Sequence, residues 1–230
     1  LDDLRAVEAG HHPDYIHFID NAIAPSFLKI LSRNTFSFQW YGFVRFENEL
    51  TDPEFCKKLR RSGCAMLKLG LESGDQQVLD QMNKGTCLSQ VSQILENLSR
   101  AGILTFVYLL FGTESENRAS AEKTLAYALD HQQYIDYLNL AVFNLPRFSP
   151  DAEKLETREF YHGDLSLYLN FNHPLGWDRS KVKKFIARQF KKQVLTGGNI
   201  RKNPAFFSSN HAAFFQKEIG DDRTDSFHRG

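Results

Sequence analysis

Ala65-Met-Leu-Lys-Leu-Gly-Leu-Glu-Ser-Gly-Asp-Gln-Gln-Val-Leu-Asp-Gln-Met-Asn-Lys-Gly85 decides how this chain folds. Its first seven residues form a short apolar run, as expected of a strand covered on both faces. The polar turn Glu72-Ser73-Gly74 follows, and Asp75 to Met82 then reads as a short helix. A strand passing through a polar turn into a helix is half of a βα unit.

The same unit recurs on either side. Downstream, Ser89 to Arg100 places Val91, Ile94, Leu95 and Leu98 on one helical face and is closed by Gly102. Ile103 to Phe111 is the next strand, Ser120 to His131 a helix, and Ile135 to Val142 a further strand. Upstream, Asp52 and Pro53 open a helix as N-cap and first-turn proline. Before it come an aromatic strand at Phe36 to Phe46, a helix at Pro25 to Ser32, a strand at Tyr15 to Ile19, and a helix end at Leu1 to Gly10. Strict alternation of strands and helices predicts a parallel sheet with right-handed crossovers, an α/β fold.

The pattern changes after Pro146. Residues 150–170 are mixed and charged. Asp178 to Val194 reads as a basic amphipathic helix carrying Val182, Phe185, Ile186 and Phe190, broken by Gly197-Gly198. The aromatic stretch from Asn203 to Phe215 is expected to pack back on the first domain, and the last ten residues are polar. The expected organisation is a βα domain over 1–148, an appendage over 149–220 and a polar tail over 221–230.

Composition narrows the function. Apolar residues make up 42% of 230, enough for a sizeable core, and the 28 basic and 28 acidic residues balance. That balance argues against bulk binding to nucleic acid or anionic membrane, which needs a clustered positive field. No apolar run approaches the ~20 residues of a membrane span. Cys56, Cys64 and Cys87 are odd in number and loosely spaced, which suggests neither a disulfide framework nor a zinc site but thiols in a reducing cytoplasm. The chain opens on Leu1 rather than Met, so it is expected to be a fragment, a processed chain or part of a larger one.

In parallel α/β folds, ligands sit at the carboxyl ends of the strands. There the five strands deliver Asp20-Asn21, then Arg45, then Glu72-Ser73-Gly74, then Gly112-Thr113-Glu114-Ser115-Glu116, and finally Asn144 with Pro146 and Arg147 beyond. Each also has a plainer reading. Glu72 suits the N-terminus of the next helix as an anion, Asp20-Asn21 an N-cap pair, Arg45 a surface charge and Gly112 a turn. Convergence at one rim is what points to a site.

These residues carry a resemblance. Leu67 to Gly85 resembles the "GxESG…vL…M.KG" segment of radical S-adenosylmethionine (SAM) enzymes, in the branch often fused to a cobalamin-binding domain. Phe18-Ile-Asp20 is similar to that branch's second-strand motif. Ala101-Gly-Ile103 with Leu110 to Glu116 is similar to its fifth-strand segment, with Thr113 where proline is usual. The resemblance covers about residues 1 to 150 and implies the second to sixth strands of a TIM-barrel-like (β/α)6 sheet. It further implies SAM and a 4Fe–4S cluster as cofactors, an electron donor as partner, and cobalamin through a domain outside this chain. Glu72 and Ser73 are then expected near the SAM ribose, Asp20 and Asn21 near its methionyl end or the substrate, and Arg45 against a carboxylate. Gly112 is expected to admit the adenosyl group closely, and Asn144 to meet adenine. The family's CxxxCxxC loop is missing from these 230 residues, so no metal ligand is assigned here.

Three functions remain open on the sequence. One is a radical SAM enzyme, its substrate, small molecule or peptide, unread and this piece of it inactive alone. Another is a SAM- or nucleotide-binding scaffold without a cluster. The last is a metal-dependent barrel hydrolase using Asp20, Glu72, Glu114 and the nearby histidines His11, His12 and His17.

Overall fold

A computed structural model describes residues 1–196 and 212–216. Five strands, β1 (Tyr15–Phe18), β2 (Gln39–Val44), β3 (Cys64–Glu72), β4 (Leu104–Phe111) and β5 (Tyr137–Val142), form one sheet in chain order. Every neighbouring pair is parallel. The expected strands over 15–19, 36–46, 65–71, 103–111 and 135–142 are all present; the second is trimmed at both ends, with Phe36 and Phe38 packed in the core ahead of it.

Helices α1 (Asp2–His11), α2 (Pro25–Leu31), α3 (Pro53–Arg61), α4 (Gln76–Gln81), α5 (Leu88–Arg100) and α6 (Arg118–Asp130) alternate with the strands. Their starts follow local chemistry. The Asp52 carboxylate accepts from Glu54 N ahead of Pro53, and Asn117 caps α6 through Ser120 N. Each such cap satisfies an orphan amide and contributes about 1 kcal/mol.

The two faces of the sheet carry different residues, because side chains alternate along a strand. Leu67, Leu69 and Leu71 of β3, with Val107, Leu109 and Phe111 of β4, meet Leu59, Val91, Ile94, Leu98 and Leu125 of the helices in the main core. Lys68, Gly70 and the β3 terminus belong to the opposite, inner face. At its amino end Tyr41, Met66, Leu104, Phe106 and Tyr137 form a second cluster with Ala212 and Ala213. Phe214 stands edge-on to Tyr15 at 5.2 Å between ring centroids. The described part of the 203–215 stretch therefore lies against the sheet; residues 203–211, Gly197-Gly198 and the tail 221–230 fall outside the described residues.

Beyond β5, strands β6 (Leu145–Pro146), β7 (Thr157–Arg158) and β8 (Tyr168–Phe171) make a small antiparallel sheet in the order β6-β8-β7, with helix α7 (Pro150–Lys154) between the first two. The expected basic helix is present as α8 (Arg179–Phe185), a π-helical turn (Ile186–Phe190) and α9 (Lys191–Thr196). Asp178 caps it through Ser180 N and Lys181 N. Val182, Phe185, Phe190 and Val194 enter the main core beside Phe111. Among the described residues no helix is long and apolar enough to cross a membrane.

Candidate functional site

All five main strands run the same way, so their carboxyl ends share one edge, and there a cavity of about 560 Å³ opens. Asn21 lies on its β1 side, Phe43 and Arg45 on its β2 side, Gly70 and Glu72 on β3, Tyr108 on β4 and Ala141 on β5. The segment Asn83-Lys84-Gly85-Thr86 between α4 and α5 closes another side. That volume lies within the roughly 300–1,000 Å³ usual for small-molecule sites.

Glu72 is the best-defined polar group in it. The β3–β4 register shifts between Gly70 and Glu72, and Glu72 takes a left-handed backbone with φ 67°. A non-glycine residue in that region costs about 1–2 kcal/mol. The carboxylate ends over Gly70, where a Cβ would stand 2.8 Å from Glu72 Oε1. Lys84 Nζ donates to the same oxygen at 3.1 Å. Glu72 does not cap the following helix: Asp75 does, accepting from Gln77 N while its other oxygen pairs with Lys123 at 3.0 Å.

The remaining expected residues divide. Asn21 and Arg45 line the cavity with Glu72, while Asp20 is exposed beside them at the rim. Ser73 is fully buried, bonded to Thr124 Oγ1 at 3.2 Å and accepting from Asp75 N, so it braces the turn behind the cavity. Gly112 and Asn144 lie off to the β5 side. Gly112 holds a left-handed backbone (φ 83°), and a Cβ there would stand a tight 3.1 Å from Val182 Cγ2. Asn144 Oδ1 accepts from Arg179 Nη1 at 2.7 Å. Glu114 lines a different hollow, with Gln77 and Pro174.

Behind Gly112, Glu116 is buried. Its Oε2 accepts from Gly112 N and from Trp177 Nε1, the latter at 3.0 Å, and desolvation pushes its carboxyl up to about 7. Deeper on the inner face Lys68 is fully buried, 2.7 Å from His17 Nε2, with its ammonium 4.9 Å from the centre of the Phe43 ring. Sequence reasoning passed over Lys68, Lys84 and Gly70. The signal was present: a lysine inside an apolar strand needs special company, and Lys84 belongs to the quoted motif.

The radical SAM superfamily profile matches residues 13–128, from before β1 to within α6. The chain belongs to the radical SAM superfamily. It is 29% identical over 216 residues to the bacteriochlorophyllide d C-12(1)-methyltransferase of Chlorobaculum tepidum, covering 88% of this chain and 45% of that protein. It is 27% identical over 180 residues to the anaerobic magnesium-protoporphyrin IX monomethyl ester cyclase of Cereibacter sphaeroides, covering 78% of this chain and 26% of that one. The chain thus spans less than half the length of these two relatives. Among solved structures, the radical SAM methyltransferase TsrM of Kitasatospora setae, with cobalamin and a [4Fe-4S] cluster bound, superposes with a TM-score of 0.56. That match has 16% identity over 67% of this chain and 32% of TsrM. Coproporphyrinogen III oxidase (HemN) of Escherichia coli, also a radical SAM enzyme, gives 0.55, again at 16% identity, over 79% of this chain and 40% of that one. These likenesses show a radical SAM fold of the TIM-barrel-like kind.

Proposed function

We propose that this chain is the SAM-holding part of a radical SAM enzyme, with the cavity at the β1–β5 carboxyl edge as its SAM site. The observation that carries this is the Glu72 carboxylate, turned into that cavity on left-handed backbone within a chain of this superfamily. Among the described residues Glu72 Oε2 takes no protein hydrogen bond, which leaves an acceptor for ribose hydroxyls. Arg45 offers a fork to the methionyl carboxylate and Asn21 an amide nearby. Phe43 and Tyr108, 5.0 Å apart between centroids, supply apolar wall.

The cysteines do not fit the cluster. Cluster ligands are thiolates gathered in a cage, but Cys56 and Cys64 are buried and Cys87 is exposed on the α4–α5 connection. Burial pushes Cys56 up to about 12 and Cys64 well above its ordinary value, so both stay protonated. Among the described residues no three His, Cys, Asp or Glu side chains come together as a metal cage, which also leaves the hydrolase alternative unsupported. The reading therefore assigns SAM, not iron, to this chain.

In a protein that also carries a cysteine loop, the enzyme reduced by an external electron donor would cleave SAM to methionine and a 5′-deoxyadenosyl radical that takes a substrate hydrogen. The protein's part is to bind, orient and exclude water. The superposition on cobalamin-bound TsrM and the motif order favour a cobalamin-associated enzyme, and the three free thiols suit a reducing cytoplasm. The test is SAM affinity by equilibrium dialysis on the full-length protein, wild type against Glu72→Gln. Loss of about ten- to a hundredfold is expected for a charge-assisted bond. Unchanged affinity removes Glu72 from the site, and no binding by wild type overturns the reading.

A further inference from the structure

We infer that Gly70 and Lys84 form a seat that fixes the Glu72 carboxylate for the vicinal hydroxyls of the SAM ribose; this rests on the SAM reading above. Two hydroxyls on adjacent carbons need acceptors at a set spacing and angle. A glutamate has three rotatable side-chain bonds, so an untethered carboxylate meets them only after losing rotamer freedom.

Here the carboxylate is held from two sides. Beneath it, a Cβ on Gly70 would meet Glu72 Oε1 at 2.8 Å and Glu72 Cδ at 3.8 Å, and nothing else beyond its own chain neighbours within 4 Å. The glycine's missing side chain is thus the space that the carboxylate occupies. Gly70 does not adopt a left-handed φ, so its requirement is close approach and not conformation. From the side, Lys84 Nζ takes Oε1 at 3.1 Å and leaves Oε2 without a described partner. The loop carrying Lys84 is itself turned by Asn83 (φ 51°) and Gly85 (φ 64°), which direct the chain back across the cavity mouth. Lys84 and Glu72 are part-exposed, with side-chain accessibilities of 39% and 19%, so the pair is there to orient more than to stabilise. Lys84 is in this sense a positioning residue, acting on the ligand through Glu72.

The experiment compares two ligands on the full-length protein: SAM and the SAM analogue lacking both ribose hydroxyls. Wild type should prefer SAM, and Glu72→Gln should remove that preference. Gly70→Ala displaces the end of a flexible side chain, at a position whose φ is not left-handed. Lys84→Met removes the tether. Each should weaken SAM about tenfold, one lost hydrogen bond's worth, while affinity for the analogue stays unchanged. Lys84→Arg should restore the preference. A merely structural role would lower affinity for both ligands together. If Glu72→Gln abolishes the preference while Gly70→Ala and Lys84→Met keep it, the seat is overturned and the SAM site stands. If wild type shows no preference, or binds neither ligand, the ribose role of Glu72 fails first and the seat falls with it.

Discussion

Lys68 Nζ lies 2.7 Å from His17 Nε2 on the inner face of the sheet, with the His17 ring stacked on Tyr41 at 4.5 Å. Desolvation draws the amine down to about 8, and burial beside that amine lowers His17. The folded state thus holds the Lys68 proton less tightly than the unfolded chain. Its penalty is fully present below about pH 8 and fades as pH rises towards the unfolded value near 10.5. Wild type is therefore expected to gain stability relative to Lys68→Met between those pH values. Urea midpoints of the two proteins across that window check this, and a constant difference would count against it.

Glu116 gives the opposite slope. Its folded pKa of about 7 lies above the 4.5 of an ordinary glutamate, so the folded state binds the extra proton between those values. Stability falls as pH rises through that window and levels off above it. At pH 8 the penalty is on the order of 3 kcal/mol, at 1.36 kcal/mol per unit. Glu116→Gln keeps an acceptor for Gly112 N and Trp177 Nε1 and carries no charge. The variant should be more stable than wild type at pH 8 and equal to it near pH 4.5, by denaturant titration at both.

The 230-residue chain is expected not to assemble a 4Fe–4S cluster. Two of its three thiols are buried, and the third stands apart from them. Anaerobic reconstitution with iron and sulfide, read by absorbance and electron paramagnetic resonance, tests this. A stoichiometric cluster that survives desalting and disappears on Cys→Ala substitution would falsify it.

Ala212 and Ala213 are completely buried against Tyr41, Met66, Leu104, Phe106 and Tyr137. Close-packed clusters do not absorb added methylenes freely. Ala213→Leu is expected to lower stability by about 1–3 kcal/mol. A thermal midpoint equal to wild type's would mean that this contact leaves the inner face unconstrained.

The sequence by itself determined the order and kind of the main elements. Alternating apolar runs and amphipathic helices admit little besides a parallel sheet, and the caps at Asp52 and Asp178 set helix starts through side chain–amide bonds made within three residues. It also put Asn21, Arg45 and Glu72 at one edge, because parallel strands end on the same side. Tertiary structure alone decided which polar groups meet. Ser73 follows Glu72 directly yet is sealed against Thr124, whereas Lys84, twelve residues on, reaches the Glu72 carboxylate. Gly112 and Asn144 follow strand ends but turn towards Val182 and Arg179 of α8. A strand's pattern gives alternate faces, but a one-residue register shift and a left-handed residue at its end redirect the last side chain. Those depend on how β4 pairs and on how the loop from Asn83 to Thr86 folds back, which are contacts between residues far apart in the chain.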